Sequence, residues 1–429
     1  MKNYKFILVL VIFIISHSAW SMHSNINMLS PIVIKGEQME PLLGREIKGI
    51  RVYAFKNGKA KVIPFQIDQK DANDNWVWTT VLNSNRHEMQ NYDVDDKTGK
   101  NIFDSNDQLV FMARDTGQKE QKAATKINSS EVLELKIVLG SSIHPRWIYV
   151  SYQATHLSDK SKKYYMKYDH FEQRIKSPVY SMIYSKDHVA VMEKMFLAGQ
   201  PVMRQAQFTG KVDINFLLFH NTIEFNETEI EGYAVGYIEG PIRIIKQFMT
   251  YVNLGLGLKS MSLKVEHLFY PNHTEVPIII VKSSMVKTMS IKIGAEYSLA
   301  NLSSVYNDNF DVLSYLEKDS VKNHAADHRE HQFLGINNSA FSMLTLLKIP
   351  SELVGKINAQ TFINTSETIV HNNQVIEEKQ LAGFTLTTRE SFPEGQYQLK
   401  VISIFSDKPD ICQKNNVFKE KVIVSTTMI

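Results

Sequence analysis

The sequence predicts an all-β protein, built as a two-part antiparallel β-sandwich with few short helices. Hydrophobic residues recur with period two in most segments that show a clear pattern, as in strands with one buried face. Phe, Tyr and Trp make up 10% of the 429 residues, while Gly and Pro number 19 and 12, which favours strands over a glycine-rich repeat. Continuous apolar runs separated by helical stretches, which are typical of parallel sheets, are few.

Four segments show the alternation most clearly. In Ile63–Asp68, Val132–Leu139, Met261–Glu266 and Gln396–Val401 the odd-numbered side chains are apolar. Most even-numbered ones are polar. Successive side chains of a strand point to opposite faces, so each segment is expected to bury one face and to expose the other to water.

Short helices and one domain boundary complete the predicted architecture. Val189–Leu197, Asp311–Leu316 and Phe341–Leu347 are expected to be helices that connect strands. Charged residues and serine interrupt the strand pattern at residues 155–163. We therefore predict a signal peptide over residues 1–21, a sandwich-like unit over 22–155 and a larger β unit over 156–429.

The N-terminus has the form of a secretory signal. Lys2 and Lys5 precede the apolar run Phe6–Ile15, and Ala19 and Ser21 place small residues at the two positions that a signal peptidase reads. Cleavage is expected after Ser21. The run is too short to cross a hydrocarbon core of about 30 Å as a helix, and no later segment has the roughly 20 apolar residues needed, so no transmembrane segment is expected in the mature chain.

Charge and cysteine content narrow the class of protein further. The 48 basic and 45 acidic residues give a net charge of +3, which falls to +1 without the two lysines of the signal. This balance does not point to nucleic acid or to an anionic membrane. Cys412 is the sole cysteine, so no disulfide within the chain stabilises the fold. The Lys-, Asn- and Ile-rich composition fits a bacterial envelope protein, either periplasmic or secreted.

Three sequence blocks stand out beside the strand pattern. They are Ile63–Asp68 with the Asp/Asn turn and Trp76 that follow it, Asp104–Gly117, and Gly240–Ile245 with the later strand that ends at Tyr270. Together they resemble a family of secreted, largely uncharacterised bacterial proteins that are all-β and related in shape to the galactose-mutarotase-like supersandwich.

The resemblance implies a supersandwich-like body over residues 156–429. Such folds serve as sugar epimerases, as central domains of polysaccharide lyases and as non-catalytic scaffolds, so the fold alone does not assign an activity. An active mutarotase needs a histidine acid and a carboxylate base in one cleft. No motif of this sequence assigns that pair, and the resemblance therefore implies no catalytic residue here.

Two groups of residues are candidate metal ligands. On a helix, His324 and His328 are one turn apart and His331 follows on the same side, so three imidazoles can converge on Zn²⁺. A charged surface loop is the alternative. Asp104 and Asp107 offer the oxygen ligands that Ca²⁺ prefers, without the spacing of an EF-hand loop. The alternative there is a tight turn, in which Asp and Asn side chains accept bonds from backbone amides.

Four residues are candidate ligand contacts. Trp76 and Trp78 are two apart on a strand, so they face the same way and form either a platform for a sugar ring or part of a core. His267 lies on the apolar face of its strand, as a hydrogen-bonded core residue or as a catalyst. Arg243 stands among apolar residues, where it pairs with a buried carboxylate or clamps the acid of a substrate.

These observations leave three hypotheses for function. The first is an exported binding or scaffold protein of the envelope, with a glycan or an envelope protein as its partner. The second is a carbohydrate-active enzyme of the epimerase or lyase type, with a His and carboxylate pair that only the fold brings together. The third is a metal-dependent hydrolase built on His324, His328 and His331. The sequence contains no phosphate-binding loop, nucleophile elbow or zinc-protease motif.

Overall fold

The all-β class is confirmed. The computed structural model describes residues 30–429, apart from 82–100, 140–143, 154–159, 189, 217–218, 256–257, 260–262, 283–285, 299–303, 308–330, 366–368, 372–373, 378, 389–391 and 409–421. Within these residues the helical segments are a short α-helix at Ala123–Ile127 and 3₁₀ turns at Gly36–Leu42, Ile47–Gly49, Ala113–Asp115 and Ser351–Leu353. None of the described helices is long and apolar enough to span a membrane. The expected signal peptide lies outside the described residues.

The N-terminal part is a small sandwich of two antiparallel sheets. The three-stranded sheet consists, in spatial order, of β1 (Pro31–Lys35), β6 (Gln108–Met112) and β4 (Phe65–Asp68). The five-stranded sheet consists of β29 (Val422–Met428), β7 (Val132–Leu139), β8 (Arg146–Tyr152), β2 (Ile50–Lys56) and β3 (Lys59–Val62). Ile34, Phe111 and Leu135 are among the buried side chains that pack between them.

The larger part is a sandwich of two long antiparallel sheets. The nine-stranded sheet consists of β24 (Ile357–Thr365), β27 (Lys379–Thr388), β20 (Val286–Ser298), β13 (Gln200–Phe216), β12 (Met192–Leu197), β11 (Tyr180–Tyr184), β10 (Arg174–Lys176) and β9 (Lys167–Asp169), with β14 (Phe219–Asn226) also paired to β13. The ten-stranded sheet consists of β21 (Ser304–Asn307), β22 (His331–Asn337), β23 (Ser342–Lys348), β28 (Gly395–Ser406), β19 (His273–Lys282), β18 (Leu263–Phe269), β16 (Ile244–Gly255), β15 (Ile230–Glu239) and β5 (Thr80–Val81), with β17 (Leu258–Lys259) also paired to β16. A separate hairpin joins β25 (Ile369–His371) and β26 (Gln374–Glu377). Buried residues of both long sheets, such as Phe269 and Phe384, belong to one core between them.

Two strands pair across the expected domain boundary. β5 precedes residue 155 in sequence but pairs with β15 of the ten-stranded sheet. β29, at the C-terminus, returns to pair with β7 of the small sandwich. The boundary itself falls at residues 154–159, outside the described residues, and the division at residue 155 stays a prediction.

The predicted alternation is confirmed in β7 and explains why that segment is a strand. Leu133, Leu135, Ile137 and Leu139 are buried, whereas Lys136 between them is exposed. One face of β7 thus contributes apolar area to the core of the small sandwich while the other carries charge. Each fully buried leucine or isoleucine of this kind stabilises the fold by roughly 1.5–3 kcal/mol relative to an exposed one.

Two of the predicted connecting helices are wrong. Met192–Leu197 forms β12, which pairs with β11 on one side and β13 on the other. Ser342–Lys348 forms β23, which lies between β22 and β28 and is buried on both faces, so its apolar run has no period-two pattern to mark it as a strand. Both segments are strands because each forms backbone hydrogen bonds with a neighbouring strand on either side. The third expected helix, at 311–316, lies outside the described residues.

The three blocks that carry the family resemblance meet at one buried polar cluster between the two sandwiches. Its centre is Arg243, which is 1% exposed. Its Nε donates to Asp68 Oδ2 at 2.7 Å, its Nη1 donates to the Tyr270 hydroxyl at 3.0 Å and its Nη2 donates to Gln108 Oε1 at 2.7 Å. The expectation that Arg243 pairs with a buried carboxylate therefore agrees with its position.

Gln66 completes this cluster. Its Oε1 accepts hydrogen bonds from the backbone N–H groups of Ile242 and Arg243, and its Nε2 donates to Asp68 Oδ1 at 2.6 Å. Gln66 and Asp68 lie on the face of β4 that was expected to face water, but the larger sandwich covers that face. Although burial alone lowers the pKa of Arg243, Tyr270 and Asp68 hold it above its ordinary value, so the guanidinium stays charged.

Removing one member of the Arg243–Asp68 pair should destabilise the protein strongly. Arg243→Met or Asp68→Asn alone is expected to lower the free energy of unfolding by about 3–5 kcal/mol, because each leaves a buried partner without its counter-charge. The double variant is expected to lose less than the sum of the two. Denaturant unfolding measures all three. Arg174→Met, which removes an ion pair with the exposed Glu172, is the control and should cost less than about 1 kcal/mol. Purely additive losses would contradict the pairing.

Candidate functional site

A cavity of about 740 Å³ lies between the two long sheets. Residues of β11, β12, β13, β20 and β27 line it from the nine-stranded sheet, and residues of β16, β18, β19, β23 and β28 line it from the ten-stranded sheet. Its volume falls in the range of about 300–1,000 Å³ that is typical of small-molecule sites. The cavity is therefore our candidate functional site.

A row of three alanines makes room for the cavity on the nine-stranded sheet. Ala206 of β13 is the cross-strand partner of Ala295 of β20, which in turn is the partner of Ala382 of β27. All three line the cavity. Because neighbouring strands carry only methyl groups at this level, the sheet leaves space that larger side chains would otherwise fill.

The rest of the lining is mostly apolar and adaptable. Methionines contribute from both sheets: Met182, Met192, Met195, Met203, Met289 and Met343. Methionine is unbranched and its thioether is polarizable, so such a wall adjusts to ligands of irregular shape. Polar lining atoms come from a few residues, among them Tyr184, Thr250, His267 and Ser403. Glu227 is a carboxylate in the lining.

One end of the cavity carries a buried cluster of polar side chains. His267 is 5% exposed, and its Nδ1 lies 3.3 Å from the Tyr184 hydroxyl, within hydrogen-bond distance. Lys246 is the cross-strand partner of His267 and is 1% exposed. The Lys246 ammonium lies 5.0 Å from the centre of the Tyr184 ring, and its Nζ is 3.4 Å from Gln173 Oε1.

Burial controls the protonation of this cluster. It lowers the pKa of Lys246 to about 7. Burial, and secondarily the nearby charge of Lys246, lowers the pKa of His267 to about 3, so the imidazole is neutral at physiological pH. Burial also raises the pKa of Tyr184 above its ordinary value, which keeps the phenol protonated. Lys246 is thus the group of this cluster that changes charge near neutral pH.

The two tryptophans pack against the outer face of the ten-stranded sheet. Trp76 is 9% exposed and donates from Nε1 to Glu266 Oε2 at 3.0 Å. Trp76 and the half-buried Trp78 form a cluster with Ile238 and Ile245. This position favours core packing over a sugar platform, since the ring of Trp76 is covered.

The residues expected to bind metal are only partly described. His331 is the first residue of β22, whereas His324 and His328 lie outside the described residues, so the zinc site stays a prediction. Asp107 accepts hydrogen bonds from the backbone N–H groups of Asp104, three residues before it, and of the distant Lys70. Burial raises the pKa of Asp107 to about 7. Within the described ranges no group of three or more His, Cys, Asp or Glu residues is placed to hold a metal ion.

A histidine and a carboxylate approach each other on the outer side of β19. His273 Nε2 lies 3.8 Å from Glu275 Oε1, and Lys400 Nζ lies 2.7 Å from Glu275 Oε2. Burial alone would raise the pKa of Glu275, but the contacts with His273 and Lys400 lower it to about 2. A carboxylate with so low a pKa is a weak base. His267 faces Tyr184 and Lys246 instead.

Sequence reasoning found His267 but missed Lys246 and the alanine row. A signal for Lys246 was available, since the apolar strand Ile244–Phe248 holds one lysine on the face opposite Arg243. The alignment of Ala206, Ala295 and Ala382 had no such signal. These residues belong to three strands far apart in sequence, and only the register of the sheet brings them together.

Replacing Lys246 should stabilise the protein at neutral pH. The pKa of Lys246 is about 7 in the folded protein, whereas its ordinary value, taken for the unfolded chain, is 10.5. Between these two pH values the unfolded chain binds more protons than the folded protein, so the free energy of unfolding rises with pH. Lys246→Met removes this penalty and is expected to raise the free energy of unfolding at pH 7 by up to about 4 kcal/mol, with the gain shrinking towards pH 10. Urea unfolding at both pH values measures it.

Lys348→Met is the control for this variant, because Lys348 lies exposed at the end of β23. It should change stability by less than about 0.5 kcal/mol at either pH. A loss of stability in Lys246→Met at pH 7, or a gain that is the same at both pH values, would contradict the burial of an uncompensated amine.

Comparison with known proteins finds solved structures that align with this chain at very low identity. No protein-family model matches the chain, and no curated protein matches it. An alpha-mannosidase and a glycosyl hydrolase family 38 protein, both from Enterococcus faecalis, align with 93% of this chain at 9% and 8% identity, with TM-scores of 0.43 and 0.44. The chain spans 44% and 45% of their lengths.

A smaller structure covers part of the chain. A galactose mutarotase-like protein from Lactobacillus casei aligns with 54% of this chain and 99% of its own length, at 10% identity and a TM-score of 0.33. None of these likenesses is close enough to transfer an activity or the role of a residue.

Proposed function

We propose that this chain is an exported binding protein that holds an apolar ligand between its two long sheets. The cavity of about 740 Å³ is the observation that carries the proposal. Protein interiors are otherwise close-packed, with few voids larger than a water molecule. An apolar space of this size is a poor environment for water, which needs polar partners, and a good one for hydrocarbon.

The chemistry of the lining favours a hydrocarbon over a sugar. A sugar ring carries hydroxyl groups that need hydrogen-bond partners when buried, and each unpaired one costs roughly 1–3 kcal/mol. The six methionines and the three alanines of the lining offer none. The covered position of Trp76 does not favour glycan contact at that face either. An acyl chain or a similar flexible apolar group fits the walls better.

The enzymatic alternatives have less support in the geometry. Sugar epimerase or lyase chemistry needs a histidine and a carboxylate in one cleft. In the cavity, His267 is neutral and contacts the hydroxyl of Tyr184. The pair of His273 and Glu275 lies outside the cavity, in sequence positions that alternate with the lining residues Thr274 and Val276. A binding protein does not need a histidine and a carboxylate in one cleft.

Filling the cavity should abolish ligand binding without unfolding the protein. Ala295→Phe places an aromatic ring at the centre of the alanine row, where it competes for the space of the ligand. The neutral apolar fluorophore N-phenyl-1-naphthylamine is expected to bind the purified mature protein and to bind this variant about tenfold more weakly or worse. Fluorescence titration measures the affinity, and thermal unfolding checks that the variant is folded.

Ala60→Phe is the matched control, because Ala60 lies exposed on β3 of the small sandwich. It should bind the fluorophore as the wild type does. If Ala295→Phe proves unstable, Ala206→Phe offers the same test from the neighbouring strand. Equal binding by a folded cavity-filled variant and the wild type would rule out the cavity as the binding site.

Export is the second part of the proposal and rests on the form of the N-terminus. Basic residues, an apolar run and the small residues Ala19 and Ser21 follow one another in the order of a cleaved secretory signal. Expression of the full chain in a Gram-negative host is expected to give a periplasmic or secreted protein that begins at Met22. N-terminal sequencing of the purified protein measures this. A protein that retains Met1 in the cytoplasmic fraction would overturn export.

A further inference from the structure

The charge distribution of the cavity lining suggests which apolar molecules it takes. Lys246 lies on β16 between Ile244 and Phe248 and shares their inward face with Thr250, which lines the cavity. Its cross-strand neighbour His267 also lines the cavity. Lys246 therefore stands directly behind the wall at this end, next to the polar atoms of Tyr184 and His267.

Among the described residues, aromatic rings surround Lys246 and no carboxylate pairs with it. Its Nζ lies 4.7, 5.0 and 5.2 Å from the ring centres of Tyr168, Tyr184 and Phe248. Its hydrogen-bond partner is Gln173 Oε1, a neutral acceptor. In the part of the chain that the structure describes, no carboxylate lies within ion-pair distance of Lys246. Aromatic faces offset part of the cost of burying an ammonium, but a full negative charge offsets more.

Arg243, the buried residue that directly precedes β16, differs from Lys246 in its partners. Arg243 is as deeply buried as Lys246, but it has Asp68, Tyr270 and Gln108 as partners. The fold thus supplies a counter-charge where a buried cation joins its two sandwiches. Lys246, beside the cavity, has no such partner among the residues that the structure describes, although burying its charge also costs free energy.

A carboxylate lies towards the opposite end of the cavity. Glu227 precedes β15, whose first residue Ile230 pairs with Val252. Val252 is six positions along β16 from Lys246, which corresponds to roughly 20 Å of strand. A cation thus lies behind the wall near His267, and a carboxylate, that of Glu227, lies in the wall. A ligand with one acidic group is repelled at one end and attracted at the other.

We propose that the cavity holds an apolar molecule with a single anionic head group, oriented with that group towards Tyr184, His267 and Lys246. This proposal rests on the proposed function and deepens it by naming the class of ligand. The anionic group accepts hydrogen bonds from the polar wall at this end and compensates the charge of Lys246, while the hydrocarbon lies along the methionines and the alanine row. A carboxylate and a phosphate share the required chemistry.

The groups around Lys246 make the pH dependence simple. Facing it are His267 from β18, Tyr168 and Gln173 from β9 and its following turn, Tyr184 from β11, and Tyr237 as its partner on β15. The carboxylates of Asp169 and Glu239 lie beside Tyr168. Since burial holds the pKa of Lys246 at about 7 and that of His267 at about 3, Lys246 loses its charge between pH 6 and 8.5 while His267 stays neutral.

Three ligands of equal chain length test the proposal: dodecanoic acid, dodecyl phosphate and dodecanol. Each is tested at pH 6 and at pH 8.5 for its ability to displace N-phenyl-1-naphthylamine from the purified mature protein. We expect at least one of the two acids to bind about tenfold more tightly than dodecanol at pH 6, and this preference to weaken at pH 8.5. Which acid binds more tightly identifies the head group as carboxylate or phosphate.

Lys246→Met separates the two proposals. It should bind dodecanol as the wild type does and lose the preference for acids, whereas Lys348→Met should keep that preference. Equal affinity of wild type for acids and alcohol, or a preference that Lys246→Met retains, would overturn the anionic head group and leave apolar binding intact. Failure of all three ligands and the fluorophore to bind would overturn the proposed function itself.

If Lys246→Met does not fold, the affinities of the wild type for the acids and for dodecanol at the two pH values test the anionic head group without the variant.

Discussion

The packing of the two long sheets against each other is the constraint on which the rest of the molecule depends. Each sheet must bury an apolar face, and neither can do so without the other. Over part of their area the side chains interdigitate in a common core, with Phe269 and Phe384 among them. At the level of Ala206, Ala295 and Ala382 the cavity lies beside the nine-stranded sheet, and three adjacent strands carry only methyl groups there. The cavity is a consequence of that register.

Two buried cations three residues apart have different surroundings. Arg243 directly precedes β16 and Lys246 is a residue of β16, and both are 1% exposed. Arg243 reaches the small sandwich, where Asp68 and Gln66 complete its hydrogen bonds and fix the two sandwiches against each other. Lys246 faces the interior of the large sandwich, where its neighbours are rings. The charge of Arg243 is paired across the contact between the sandwiches, whereas Lys246 is the cation that we propose selects the ligand.

Much of the fold could be predicted from the sequence because period two is a local property. The spacing of Leu133, Leu135 and Ile137 predicts the buried face of β7 from that segment alone. The prediction fails where another part of the protein covers a face that the pattern predicts to be exposed. Gln66 and Asp68 alternate as an exposed face would, yet the larger sandwich covers them. The helix expected at Phe341–Leu347 is wrong because β23 is a strand buried on both faces, and such a strand shows no alternation.

The candidate site could be predicted only in part, for a related physical reason. His267 was found from its own strand, because a polar residue on an apolar face is visible locally. The space beside it depends on strand register across the nine-stranded sheet, which no local pattern contains. Arg243 and Trp76 stay predictions as ligand contacts. Arg243 lies between the two sandwiches, and Trp76 packs against the outer face of the ten-stranded sheet.

The most direct measurement is a crystal structure of the mature protein with 12-bromododecanoic acid, in which the anomalous signal of bromine locates the end of the hydrocarbon chain. We predict bromine between the two long sheets, on the side of Phe208 and Glu227, with the carboxylate next to Tyr184 and His267. Bromine on the outer surface, or a cavity without bound ligand at saturating concentration, would contradict the assignment of the cavity as the binding site.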